Sequence, residues 1–134
     1  LLEALLGREG FTNVVSTTEP AQVLDLHAAF EPDLVLLDLM MPGLSGYALL
    51  ERLERQRPPD EFRPVLVLTA DATREAMRRA LSLGAKDFLT KPFDPVEAML
   101  RVWNLLETRL LHQRLRRLLP EAAVLPRGQR LKEE

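Results

Sequence analysis

Cysteine is missing from all 134 residues, which excludes a disulfide framework and any thiolate-bound zinc and fits a reducing compartment. Histidine occurs only at His27 and His112, too few for a histidine-built metal centre. Aromatic residues make up 5% of the chain and none follows Trp103, so its end has no rings on which nucleic-acid bases could stack. No apolar run approaches the ~20 residues of a membrane span, because Asp, Glu or Arg interrupts every candidate. Leu1 to Leu6 carry neither a basic flank nor a small-residue cleavage site, which argues against a secretory signal and makes a cytoplasmic location the expectation.

What is present is the balance of a globular domain: 46% hydrophobic and 28% charged residues, in a chain long enough to bury a core. The net charge of −2 conceals an asymmetry. Residues 1–100 hold 16 acidic and 10 basic side chains (net −6), residues 101–134 hold 4 and 8 (net +4). The basic end reads as a solvated helix face rather than a nucleic-acid surface.

Apolar periodicity divides the chain into alternating helices and short strands. Leu1, Leu2, Leu5 and Leu6 have helical spacing, ended by Gly7 and Gly10. Val14-Val15 is a brief strand candidate, and Thr18 with Pro20 opens a helix that runs to about Phe30. Leu34 to Leu37 is a continuous apolar run stopping at Asp38, the signature of a strand buried on both faces. Met41 to Gly46 is a turn cluster, followed by a helix from Tyr47 to Arg55. Val65 to Leu68 repeats the buried-strand pattern and stops at Thr69. Thr73 caps a helix with Ala76, Met77, Ala80 and Leu83 on one face, and Gly84 ends it. Phe88-Leu89 is a further strand, stopping at Lys91-Pro92, and a last helix runs from Asp94-Pro95 to about Leu119. This alternation predicts a parallel sheet covered by helices on both faces, with the functional crevice beyond the carboxyl ends of its strands.

Asp38, Thr69 and Lys91 each terminate one buried strand at that edge. A carboxylate there can act as nucleophile toward a phosphoryl group and become an acyl phosphate. A hydroxyl and an ammonium can then partner the anionic oxygens, and Mg²⁺ would offset charge in the transition state. The bland alternative is three unrelated polar strand ends.

Asp38-Leu39-Met40-Met41-Pro42-Gly43-Leu44-Ser45-Gly46, Leu68-Thr69-Ala70 and Leu89-Thr90-Lys91-Pro92-Phe93 resemble the receiver domain of two-component response regulators. The resemblance covers residue 1 to about residue 107. It implies a flavodoxin-like, doubly wound α/β fold with strand order 2-1-3-4-5. It also implies that Asp38 is the phosphoacceptor, that Met40 offers its backbone carbonyl to Mg²⁺, and that Thr69 is the switch hydroxyl. Ala70 would leave room for the phosphoryl group, Lys91 would pair with it, and the Lys91-Pro92 bond would be cis. Phe88 occupies the aromatic switch position, with plain core packing as its alternative. The partners implied are a histidine kinase or phosphotransfer protein and an output domain. Neither a membrane nor direct nucleic-acid contact is expected.

The chain departs from the family pattern at its beginning. It starts inside what would be the first helix, without the first strand and the acid pair that hold Mg²⁺, and Glu3 and Glu9 are not in place to substitute. The expectation is a receiver whose first strand is absent from this chain and carried by the natural protein ahead of it, with Mg²⁺ binding and phosphotransfer weakened in the chain as it stands. A phosphorylation-independent interaction module and a strand donated by a partner are the alternatives. Asp71 and Asp87 read as solvated loop carboxylates, His27 as a surface or packing residue, and Met40-Met41 as packing and turn.

Leu110, Leu111, Leu115 and Leu118 continue the last helix past the receiver, with Arg109, Arg114, Arg116 and Arg117 on its other faces. The expected division is residues 1–107 as receiver and 108–134 as helical extension and linker or tail. The extension would pair with its twin in a homodimer or fold back on the receiver. The stretch from Arg101 to Arg109 is similar to receivers joined to cyclic-di-GMP enzymes or kinases. An enzyme reading, a phosphatase of the haloacid dehalogenase type, wants a second aspartate where Met40 stands, so the chain is expected to be a signalling domain and not an enzyme.

Overall fold

The computed structural model describes residues 2–40 and 45–118. The order is α1 (Leu2–Arg8), α2 (Pro20–Phe30), β1 (Val35–Asp38), α3 (Gly46–Gln56), β2 (Val65–Thr69), α4 (Arg74–Ser82), β3 (Asp87–Thr90) and α5 (Pro95–Leu118). The three strands are parallel in the order β1-β2-β3. Val35 pairs with Val65 and Asp38 with Leu68; Leu66 pairs with Asp87 and Thr69 with Thr90.

β2 is buried along its whole length, as its uninterrupted apolar run predicts, and its alternating side chains feed two separate cores. Val65 and Val67 join Leu37, Leu49, Leu50, Leu53 and Ala80, with Val23 and Leu24 of α2 against them. Leu66 and Leu68 join Leu6, Leu89, Ala98, Met99, Val102 and Leu105. Helices α2, α3 and α4 therefore cover one face, and α1 and α5 the other. This is the doubly wound, flavodoxin-like arrangement with an extended C-terminal helix.

Four expectations are corrected. Val14 and Val15 form no strand and are 41% and 49% exposed. Among the described residues the outer edge of β1 is unpaired, so Val14 and Val15 make no ladder bonds to it and stay outside the sheet. Thr18 is not the cap of α2: Glu19 holds that position without a side-chain cap bond, and it is the Thr17 hydroxyl that accepts from the Glu19 amide at 3.0 Å. Met77 is 39% exposed, off the buried face made by Ala76 and Ala80. Arg109 is not on a solvated face: it is 6% exposed, donating to the Phe62 carbonyl at 2.8 Å and to Asp33 at 3.2 Å.

Gly84 ends α4 at φ +117, with the Ala85 amide reaching back to the Ala80 carbonyl at 3.1 Å, the left-handed stop that glycine permits. At Gly46 a Cβ would lie 2.6 Å from the Leu39 backbone, so glycine lets α3 start against the end of β1. Of the turn cluster predicted over Met41–Gly46, residues 41–44 lie outside the described residues, as does the expected linker or tail over 119–134.

Candidate functional site

The site forms where three strands stop together. Backbone bonds run from the Leu39 amide to the Leu68 carbonyl at 3.0 Å and from the Lys91 amide to the Thr69 carbonyl at 2.7 Å. Those bonds extend the ladder past the last apolar residue of each strand and hold the three polar residues at one edge.

Asp38 accepts from the Met40 amide at 2.8 Å with Oδ1, an Asx-type turn that turns the chain away from the sheet. Its Oδ2 accepts from the Lys91 ammonium, and both side chains remain about a third or more exposed. The carboxylate is thus not free, as the sequence suggests, but already paired with the lysine. The Lys91-Pro92 peptide is cis. Ala70 is exposed beside the site. Phe88 is half-buried and packs against the core shared by α2, α3 and α4.

Thr69 is 1% exposed. Its hydroxyl oxygen accepts from the Asp71 amide at 3.1 Å. Asp71 in turn accepts from the Thr73 amide at 3.0 Å, and the Thr73 hydroxyl caps α4 by accepting from the Ala76 amide at 3.2 Å. Three contacts therefore link the hydroxyl at the site to the first turn of α4. Those bonds to the Thr73 backbone and hydroxyl hold the exposed Asp71 carboxyl below its ordinary pKa. Sequence reading set Asp71 aside as a solvated loop carboxylate; the signal that could have found it is the spacing of Thr69, Asp71 and Thr73 two apart, which suits successive local side-chain-to-backbone turns.

Asp87, read as another solvated carboxylate, lies in β3 and takes both of its oxygens to Arg101 of α5, at 2.7 and 2.8 Å. It belongs to the packing of α5 rather than to the site. His27 is half-buried on α2, away from the strand ends, and burial, with the Arg63 guanidinium as second cause, lowers its pKa.

Receiver domains generally bind Mg²⁺ at the phosphorylation site. The described residues contain no group of three His, Asp or Glu side chains able to hold a metal. Among the described residues Asp38 is the carboxylate that ends a strand at this edge, and both its oxygens have partners. Against the near-octahedral oxygen shell that Mg²⁺ demands, this donor set does not fit. No described helix is long and apolar enough to cross a membrane.

Comparison with known proteins gives one answer from sequence and structure. The profile of the response regulator receiver domain family matches residues 1–102. The response regulator PleD of Caulobacter vibrioides (strain NA1000 / CB15N) is 37% identical over 116 residues, 87% of this chain and 25% of that protein. The phosphate regulon transcriptional regulatory protein PhoB of Rhizobium meliloti (strain 1021) is 48% identical over 71 residues, 53% of this chain and 31% of its own length. Among solved structures, the BeF3-activated N-terminal receiver domain of Klebsiella pneumoniae RstA superposes with a TM-score of 0.71 at 30% identity, covering 78% of this chain and 86% of that one. The receiver domain of NtrX from Brucella abortus gives 0.72 at 29% identity, with coverage of 80% and 88%. The chain spans between a fifth and under half of the length of the curated relatives it matches. On its fold, its strand-end residues and these matches, the chain belongs to the response regulator receiver domain family of two-component signalling.

Proposed function

We propose that this chain is a phosphoacceptor switch: Asp38 takes a phosphoryl group from a histidine kinase or phosphotransfer protein and the change passes to an output domain or partner. The observation that carries the reading is the meeting of Asp38 and Lys91 at the edge where Thr69 also ends its strand. An Asp38 carboxylate oxygen attacks phosphorus, the bond from phosphorus to the donor nitrogen breaks, and the imidazole keeps its electron pair. The acyl phosphate brings anionic oxygens to an ammonium already in place and to a hydroxyl whose proton is free to be donated. Ala70 leaves space beside it. Drawing Thr69 toward those oxygens loosens its bond with the Asp71 amide, and Phe88 fills the space that the hydroxyl vacates. Residues 1–107 carry this switch and the remainder carries its connection onward; the switch itself is a signalling element and not a metabolic enzyme.

The experiment is intact-mass measurement after incubation with acetyl phosphate and MgCl₂, on the chain alone and on the chain behind an added strand ending in two acidic residues. The extended chain gains one phosphoryl group, the chain alone gains much less, and Asp38→Asn gains none. The thin set of acidic donors around Asp38 favours a second reading, a phosphorylation-independent interaction module. No gain in the folded, extended chain selects that module.

A further inference from the structure

Helix α5 has two faces with opposite fates. On one, Ala98, Met99, Val102 and Leu105 are buried. Further along that face Arg109 holds Phe62 and Asp33, and Arg116 reaches Asp60 at 2.6 Å. The extension is thus tied to the loop before β2 as far as its last described turns, and its outer face is fixed in direction.

That outer face is apolar and exposed: Val96 66%, Leu100 59%, Trp103 49%, Leu110 57%, Leu111 55% and Leu118 76%. At 3.6 residues per turn these fall within one arc of roughly 100°. Two charged residues, Glu107 and Arg114, share the arc. Both are exposed, and neither has a hydrogen bond or ion pair among the described residues. They stand one on each side of Leu110-Leu111, at equal distance from that pair in sequence.

A parallel pairing of two such helices sets Glu107 against Glu107 and Arg114 against Arg114, which repels at both positions. An antiparallel pairing about the midpoint of Leu110-Leu111 sets each Glu107 against the other copy's Arg114. It also sets Leu110 against Leu111 and Trp103 against Leu118. The same stripe thus gives two ion pairs flanking an apolar centre, and charge selects the direction. We propose that a second copy of this chain docks antiparallel on α5, centred between Leu110 and Leu111. The proposal does not depend on Asp38 being phosphorylated.

Sedimentation equilibrium of the full chain tests it. The expected result is a dimer that Glu107→Arg and Arg114→Glu each weaken about tenfold or more and that the double reversal restores. Far-ultraviolet circular dichroism checks that each variant is folded, which two exposed positions allow. Because the chain has no cysteine, Leu111→Cys and Leu118→Cys each give a single thiol. Position 111 meets its counterpart near the dyad and cross-links. The two copies of position 118 lie ~22 Å apart along the axis at 1.5 Å per residue and do not. A chain that stays monomeric at its highest soluble concentration, single reversals without effect, or ready cross-linking at position 118 overturns the proposal.

Discussion

Asp38 and Lys91 form an ion pair across two strand ends, with both side chains still open to water. At that exposure the pair contributes little to folding, less than about 1 kcal/mol, while its charge lies where an added anion would need it. Lys91→Met should therefore leave the urea midpoint nearly unchanged but slow phosphoryl uptake by the extended chain at least about tenfold; a large stability loss with normal uptake would make the pair structural. His27 gives a pH signature. Its pKa lies below 6.5 in the folded state, through burial first and Arg63 second. The unfolded chain thus binds the proton more readily as pH falls through about 6.5, and folding loses stability there. His27→Gln should flatten urea midpoints measured from pH 7.5 down to pH 5, and an unchanged slope would assign the dependence elsewhere. Asp38 and Thr69 were legible because each ends an uninterrupted apolar run, and Lys91 because it follows the short strand at Phe88-Leu89 and precedes Pro92. The link from Thr69 through Asp71 to Thr73 was harder to see, because hydroxyl and carboxylate turns look like ordinary loop polarity until the backbone direction is known.

At the scale of elements, β1 and β2 stood out in the sequence because a strand covered on both faces needs apolar residues without interruption. Val14-Val15 looked similar, but a strand exists only with a neighbour to bond, and the described sheet offers none next to it. The length of α5 was legible from its leucine spacing, whereas the role of its arginines was not. Whether an arginine beside leucines faces water or clasps a loop depends on Phe62, 47 residues away in sequence. Arg109→Met should cost about 1–3 kcal/mol by leaving the Phe62 carbonyl without its donor. It should also raise amide exchange in residues 57–63 and in the last turns of α5. Unchanged exchange in both segments would mean the extension is held by its apolar contacts alone.

At the scale of the whole molecule, the described residues form two cores divided by one thin sheet, so each strand serves both. Leu50, 1% exposed in the core under α3, should cost the fold about 2–5 kcal/mol on Leu50→Ala, a sizeable part of the roughly 5–15 kcal/mol that holds a domain together. A urea transition that keeps its slope while its midpoint falls would mark one cooperative unit; a split transition would mean the two cores unfold separately. The layered fold could be read from alternating elements, and the polar edge from where the runs stop. The number of strands in the sheet could not be read so directly, since pairing is decided by neighbours and not by the strand's own residues. In the proposed switch this edge takes its phosphoryl group on one carboxylate. Borohydride reduction of the extended, acetyl-phosphate-treated chain, followed by peptide sequencing, tests it most directly. Reduction of an acyl phosphate at Asp38 leaves homoserine at position 38, the predicted result. Intact aspartate at position 38, or homoserine only at another carboxylate, would contradict the account.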